Sequence, residues 1–279
     1  MGITFLKGHG TQNDFVLLPD PDAALALTED RVLALCDRQR GLGADGVLRV
    51  VRTAALPADV PGTAGSASEW FMDYRNADGS IAEMCGNGVR VFARYLVEAG
   101  LVETSEFVVG SRAGDRAVTV HDDRSVTVAM GKATVTGRSA AILSGRRYDG
   151  ITVDVGNPHL VTVLDEDVTG LDLRDRPELD PADFPRGGNV EFVNRLGDDV
   201  LRMRVIERGV GETRSCGTGT VAAAAADLYA ASEDTGSRIV WIPGGEVTVR
   251  VQADGATLTG PAVILAEGAL DEAWWVDPA

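Results

Sequence analysis

The chain has 279 residues, 44% hydrophobic and 24% charged, enough to bury the cores of two domains of ordinary size. Its formal charge of −16 argues against a nucleic-acid or anionic-membrane partner, since either attracts a basic face. No apolar run approaches the ~20 residues of a membrane span and the N-terminus lacks a signal-peptide pattern, so the expected location is cytoplasmic.

In chain order, "GTQNDFVLL" (10–18) is a turn leading into a strand, "RVLALCDRQR" (31–40) an amphipathic helix, and "GADGVLRV" (43–50) a further strand. The small, polar, Pro/Gly-rich stretch 53–68 is expected to be a surface loop. "EWFMDYR" (69–75) alternates as a strand does, and "EMCGNGVRVF" (83–92) then opens an apolar helix over 86–99. "AVTV" (117–120) and "SVTVAMG" (125–131) flank the turn "HDDR". "GNPHLVTVL" (156–164) leads into another strand, followed by an acidic, proline-containing excursion over 165–186 expected to be exposed with a short helix. "GGNVEFVN" (187–194) and the strand "LRMRVIE" (201–207) precede a second helix over 217–231, whose early turns have no polar face and predict burial. "EVTVRV" (246–251) and "ATLTGPA" (256–262) flank "QADG".

These landmarks repeat. Cys85 and Cys216 lie roughly 130 positions apart, each after a strand and before an apolar helix, each within Cys-Gly-x-Gly. The flanking hairpins and the strands upstream recur in the same order, which points to an internal duplication. The expected fold is α/β (α+β): two pseudo-symmetric domains, each a curved, mostly antiparallel sheet around a central helix.

Cysteine usage narrows the chemistry. Cys36, Cys85 and Cys216 are too few and too scattered for a disulfide framework. With three histidines and no C-x-x-C or H-E-x-x-H, no metal is expected. Lys7 and Lys132 are the only lysines and neither sits in a phosphate-binding context; no P-loop or dinucleotide fingerprint occurs either, so no cofactor is expected. Cys36 on its amphipathic helix is a packing residue.

A helix N-terminus carries unpaired N–H groups and partial positive charge, which stabilise a thiolate below the ~8.5 of a free thiol and also bind a carboxylate. "CGNG" and "CGTG" are therefore each half of a site, a sulfur beside an anion-binding nest. Facing each other, two such halves would invert a carbon next to a carboxylate, one thiolate removing the proton and the opposite thiol returning one. Inert core thiols remain the alternative, and Asn13, Asn76, Asn157 and Asn189, set beside glycines or turns, have turn roles as theirs.

"GHGTQNDFV", "NADGSIAEMCGNGVR", "VGNPH" and "ERGVGETRSCGTGT" resemble the motifs of the diaminopimelate epimerase family over essentially the full length. The resemblance implies inversion of one centre of LL-diaminopimelate to the meso form, for lysine and peptidoglycan synthesis, without a cofactor. It implies a cleft between two domains, drawn here at 1–118 plus 264–279 and at 119–263. Carried over by motif, Cys85 and Cys216 are the two bases. Gly86, Asn87, Gly217 and Thr218 hold the reacting carboxylate, and Asn13, Asn76, Asn157, Asn189, Glu207 and Arg208 line the pocket for the distal end. His159 supports a thiol or the substrate amine. Gly46 stands where many members have glutamine, so no side-chain contact is assigned there. The partner is a small-molecule substrate, and a homodimer follows from resemblance alone. The alternatives are a proline/hydroxyproline-type racemase, which has "CGHG" where this chain has "CGNG", a phenazine-type isomerase, and a non-catalytic diamino-acid binding protein.

Overall fold

A computed structural model describes residues 2–277. The chain separates into two units, Met1–Val128 with Pro261–Ala279, and Ala129–Gly260. The first contains β1 (Ile3–Gly10), β2 (Asn13–Pro19), α1 (Glu29–Cys36), β3 (Gly46–Arg52), β4 (Trp70–Asn76), α2 (Gly86–Glu98), β5 (Glu106–Val109), β6 (Arg116–Val120) and the start of β7 (Ser125–Gly131). The second runs through β8 (Thr134–Leu143), β9 (Arg146–Asp154), β10 (Pro158–Val163), β11 (Glu178–Leu179), β12 (Asn189–Arg195), β13 (Val200–Glu207), β14 (Gly211–Thr213), α3 (Gly217–Ala230), β15 (Gly236–Ile242), β16 (Gly245–Gln252) and β17 (Gly255–Pro261). The chain then returns to the first unit as β18 (Val263–Leu270) and α4 (Glu272–Val276). This is a mixed α/β fold of large sheets and few helices, as the alternating patterns predict. No helix among the described residues is long and apolar enough to cross a membrane.

In the first unit the sheet order is β18-β1-β2-β3-β4, antiparallel except for the parallel pair β2–β3. Both faces of β2 are covered, which explains the unbroken apolar run "FVLL". Val16 and Leu18 join Val32, Leu35 and Cys36 of α1 and Trp275 of α4 in one core cluster. On the other side Gly88 of α2 comes close to Phe15 and Leu48, so α2 covers that face. Burying each such side chain contributes about 1.5–3 kcal/mol.

In the second unit the order is β11-β8-β9-β10-β12-β13-β15-β16-β17, with β14 paired to the tip of β13. α3 is buried from Val221 to Ala226, its run of alanines letting β9, β10, β12, β13, β15 and β16 close around it. Asp227, the first acid of α3, is buried against Arg195 and Arg238.

Two local expectations change. The excursion 165–186 is not simply exposed: Val168, Leu173 and Phe184 enter the core with Leu160, Val190 and Phe192, because the sheet face away from α3 needs an apolar cover. It holds a 3-10 turn at Val168–Gly170 rather than an α-helix.

Candidate active site

Cys85 is the N-cap of α2. Its extended backbone (φ −142°, ψ 117°) aims the side chain back over the helix start, where the sulfur accepts the Gly88 amide at 3.4 Å. Asn13 reaches the same sulfur from the β1–β2 turn. That turn places Thr11 and Gln12 at positive φ (49° and 62°), a conformation costing non-glycine residues roughly 1–2 kcal/mol each. The turn is anchored by Arg90, fully buried in α2, whose guanidinium donates to Thr11 Oγ1 at 2.9 Å and to Asn87 Oδ1 at 3.0 Å. Burial lowers the Arg90 pKa to about 10, with Cys85 acting in the opposite sense.

The amide of Asn13 has a fixed direction. Its Nδ2 donates to Asp45 at 2.7 Å, and Asp45 also accepts from Arg38 at 2.8 Å. The carbonyl oxygen is thereby turned the other way, accepting from Asn87 Nδ2 at 3.1 Å and from the Cys85 thiol at 3.6 Å. Asn76 is not in this constellation: its amide bonds Ser80 Oγ at 3.0 Å and holds the turn before Ile81. At Gly46 a Cβ would lie 2.6 Å from the Tyr74 ring and 2.5 Å from the Arg75 carbonyl, so β4 fills the space a longer side chain needs.

Cys216 caps α3 in the same way. Its backbone is extended (φ −129°, ψ 111°), and its sulfur accepts the Gly219 amide at 3.4 Å. The surroundings differ. Thr218 Oγ1 lies 3.6 Å from the sulfur, and Asn157 Nδ2 donates to Thr218 Oγ1 at 3.5 Å. Asn157 Oδ1 faces His159 Nε2 at 3.1 Å, and His159 Nδ1 meets Glu191 Oε1 at 2.7 Å. Neither His159 nor Glu191 is exposed to solvent. Asn189 turns its amide N–H toward His159 Nδ1 at 3.5 Å and accepts the Arg208 backbone N–H at 2.8 Å. Glu207 accepts from Thr213 on β14; burial raises its pKa, offset in part by hydrogen bonds from Thr213 and Cys216. The Arg208 side chain is exposed, its Nη1 reaching the Arg186 carbonyl at 3.4 Å.

Electrostatics separate the two sulfurs. Burial pushes the Cys216 thiol well above the ordinary range, and the Glu207 and Glu191 carboxylates add to the rise. In the first unit Cys85 interacts instead with the buried Arg90 cation. All three cysteines are free thiols. Among the described residues no group of three or more His, Cys, Asp or Glu side chains could hold a metal.

Two cysteine-capped helices, each with asparagines at the sulfur or one residue from it, are the local geometry of the motifs. The diaminopimelate epimerase family profile matches residues 5–136 and 151–265. The chain belongs to the diaminopimelate epimerase family. It is 56% identical to the diaminopimelate epimerase of Rhodococcus jostii (strain RHA1), over 97% of this chain and 98% of that one. It is also 56% identical to the enzyme of Mycolicibacterium smegmatis, with the same coverage. Among solved structures, a probable proline racemase from Agrobacterium radiobacter superposes with a TM-score of 0.64 at 20% identity, over 97% of this chain and 93% of that one. A PhzF-family phenazine biosynthesis protein from Bacillus anthracis gives 0.65 at 16% identity, over 97% and 99%. These two likenesses establish the architecture alone.

Against the family motifs, Arg90, Asp45 and Glu191 are the residues of this constellation that sequence reasoning did not single out. Arg90 had a signal, standing five residues after Cys85 on the apolar helix. So did Glu191, an acid inside the apolar run "NVEFV".

Proposed function

We propose that this protein interconverts LL- and meso-diaminopimelate by proton transfer between two thiols, Cys85 and Cys216. Inversion at an α-carbon needs a base on one face and an acid on the other. The observation that carries the reading is the doubled cap: two sulfurs, each fixed by a helix-start amide, in a chain of this family. The amides after each cysteine, at Gly86, Asn87, Gly217 and Thr218, are the donors assigned to the reacting carboxylate. Asn13, Asn157, Asn189, Glu207 and Arg208 are assigned to the far ammonium and carboxylate, with charge-assisted bonds from Arg208 and to Glu207. Asn76 is assigned to the same end, through the turn it holds.

The two units are taken as the halves of a duplication. The chemistry asks for no cofactor and for reduced sulfurs, which fits the cytoplasm. A homodimer is the assembly implied by resemblance, checked by light scattering.

The deciding experiment incubates reduced protein with LL-diaminopimelate in heavy water. Chiral separation and mass spectrometry should show meso product carrying one deuterium at the inverted carbon. Recovery of unlabelled LL substrate would leave a binding protein instead.

A further inference from the structure

Arg90 lies wholly inside the first unit on α2, and its Nε and Nη1 have no hydrogen-bond partner among the described residues. A guanidinium in such a place is costly and asks for a reason. Its Nη2 joins two separate elements, Thr11 Oγ1 in the β1–β2 turn and Asn87 Oδ1 at the start of α2. Room for it depends on glycine. A Cβ at Gly10 would lie 2.9 Å from Nη2 and 2.9 Å from the Asn87 carbonyl oxygen.

The donors and acceptors from here to Cys85 are ordered from both ends. Arg90 cannot accept, so Asn87 turns Oδ1 to it and leaves Nδ2 for Asn13 Oδ1 at 3.1 Å. At the far end the Asp45 carboxylate, ion-paired with Arg38, accepts Asn13 Nδ2 at 2.7 Å and the Asp14 amide at 3.1 Å. An inverted Asn13 would set its oxygen against that carboxylate and its nitrogen against Asn87 Nδ2. The group facing the Cys85 sulfur at 3.6 Å is therefore a carbonyl oxygen, which only an S–H can bond. The Gly88 amide meets a lone pair of the same sulfur at 3.4 Å, so the thiol has both its hydrogen and its lone pair directed.

We propose that Arg90 is a positioning residue that staples the 11–12 turn to α2 and so holds the Asn13 carbonyl where it takes the Cys85 thiol proton. Thr11 and Gln12 sit at positive φ, 49° and 62°, a conformation that persists only when surrounding structure enforces it. Burial lowers the Arg90 pKa to about 10, which leaves it a cation and a pure donor in neutral solution. Its charge favours a thiolate at Cys85, whereas the bond it sets up through Asn13 is made by the thiol alone. The sulfur thereby keeps access to both forms, as a group that takes and gives a proton requires.

The proposal deepens the epimerase reading, but its first test does not depend on turnover. Infrared spectra of reduced protein show the S–H stretch, and subtracting the Cys85→Ser spectrum assigns the Cys85 band. In the wild type that band should lie below the frequency of an unbonded thiol. In Arg90→Met it should rise toward the unbonded value, and in Thr11→Ala, which removes one anchor of the staple, part of the way. Arg90→Lys keeps a donor-only cation and should hold the band nearer its wild-type place. Arg90→Met should also lose roughly tenfold or more in turnover, with Arg90→Lys between it and the wild type. A wild-type Cys85 band that is absent or unbonded overturns the proposal. So does a band that stays in place in Arg90→Met or, should that variant not fold, in Thr11→Ala. An inactive wild type with the lowered band would instead refute the function and leave the staple standing.

Discussion

The Gly219 amide donates to the Cys216 sulfur at 3.4 Å, the distance at which Gly88 donates to Cys85. Cysteine is not a favoured helix cap, whereas serine is among the best. Cys85→Ser and Cys216→Ser should therefore melt within a few degrees of the wild type or above it. Each should also lose at least about a hundredfold in turnover. Calorimetry alongside the heavy-water assay separates the two effects, and a serine variant that keeps wild-type turnover removes its sulfur from the mechanism.

Gly219→Ala and Gly88→Ala should diverge. Alanine in a helix ordinarily gains about 1 kcal/mol over glycine. At 219 that gain meets the buried Glu191 carboxylate, and overpacking of about 1–3 kcal/mol reverses it. At 88 the nearest atom is the Leu48 Cδ2 methyl at 3.2 Å, the end of a flexible side chain, and the loss should be smaller. Urea denaturation of both variants ranks them.

Glu207 should cost stability at neutral pH. Its pKa is raised by burial, so the native state holds that proton more tightly than the unfolded chain does. Its contribution is full below about pH 4.3, the unfolded value, and is lost as pH rises through the folded one. Glu207→Gln retains an oxygen for Thr213 and has no charge to bury. Its melting temperature relative to wild type should rise between pH 4.5 and pH 8, while epimerisation falls. A difference that is flat with pH would show the carboxylate to be well solvated.

Cys36 should be chemically silent. Burial pushes its thiol up to about 12, so it stays protonated in neutral solution, and it packs in the α1 cluster. In native protein iodoacetamide should modify the half-buried Cys85 first, and Cys36 only after unfolding. Cys36→Ala should retain turnover. Peptide mapping of labelled protein gives the order.

The caps were legible in the sequence because they are local: Cys-Gly-x-Gly after a strand specifies a helix start wherever it occurs. Asn13 was legible as part of a motif, but its orientation was not, since Asp45 and Arg38 turn it from a distant loop. Glu191 hid for a different reason. Alternation along "NVEFV" reads an acid as outward-facing, and it becomes a buried partner of His159 only because β10 and β12 pair in parallel and α3 packs over them. Asn76 shows the opposite case, a motif residue whose visible bond is confined to its own turn. The excursion 165–186 was misread from composition, because acids and prolines mark solvent while Val168, Leu173 and Phe184 between them supply a core.

The strand register of β1 also sets an order of events at the ribosome. Ile3 through His9 pair with Leu270 through Val263, and Arg31 donates to the Trp275 carbonyl. At about 5–20 residues per second of synthesis, the first unit waits for its edge strand until translation is nearly over. Residues 129–260, by contrast, leave the exit tunnel as one continuous stretch. The part of the chain made first is therefore finished last, and an early stop codon that spares both cysteines would still strand the amino-terminal half without its final seam.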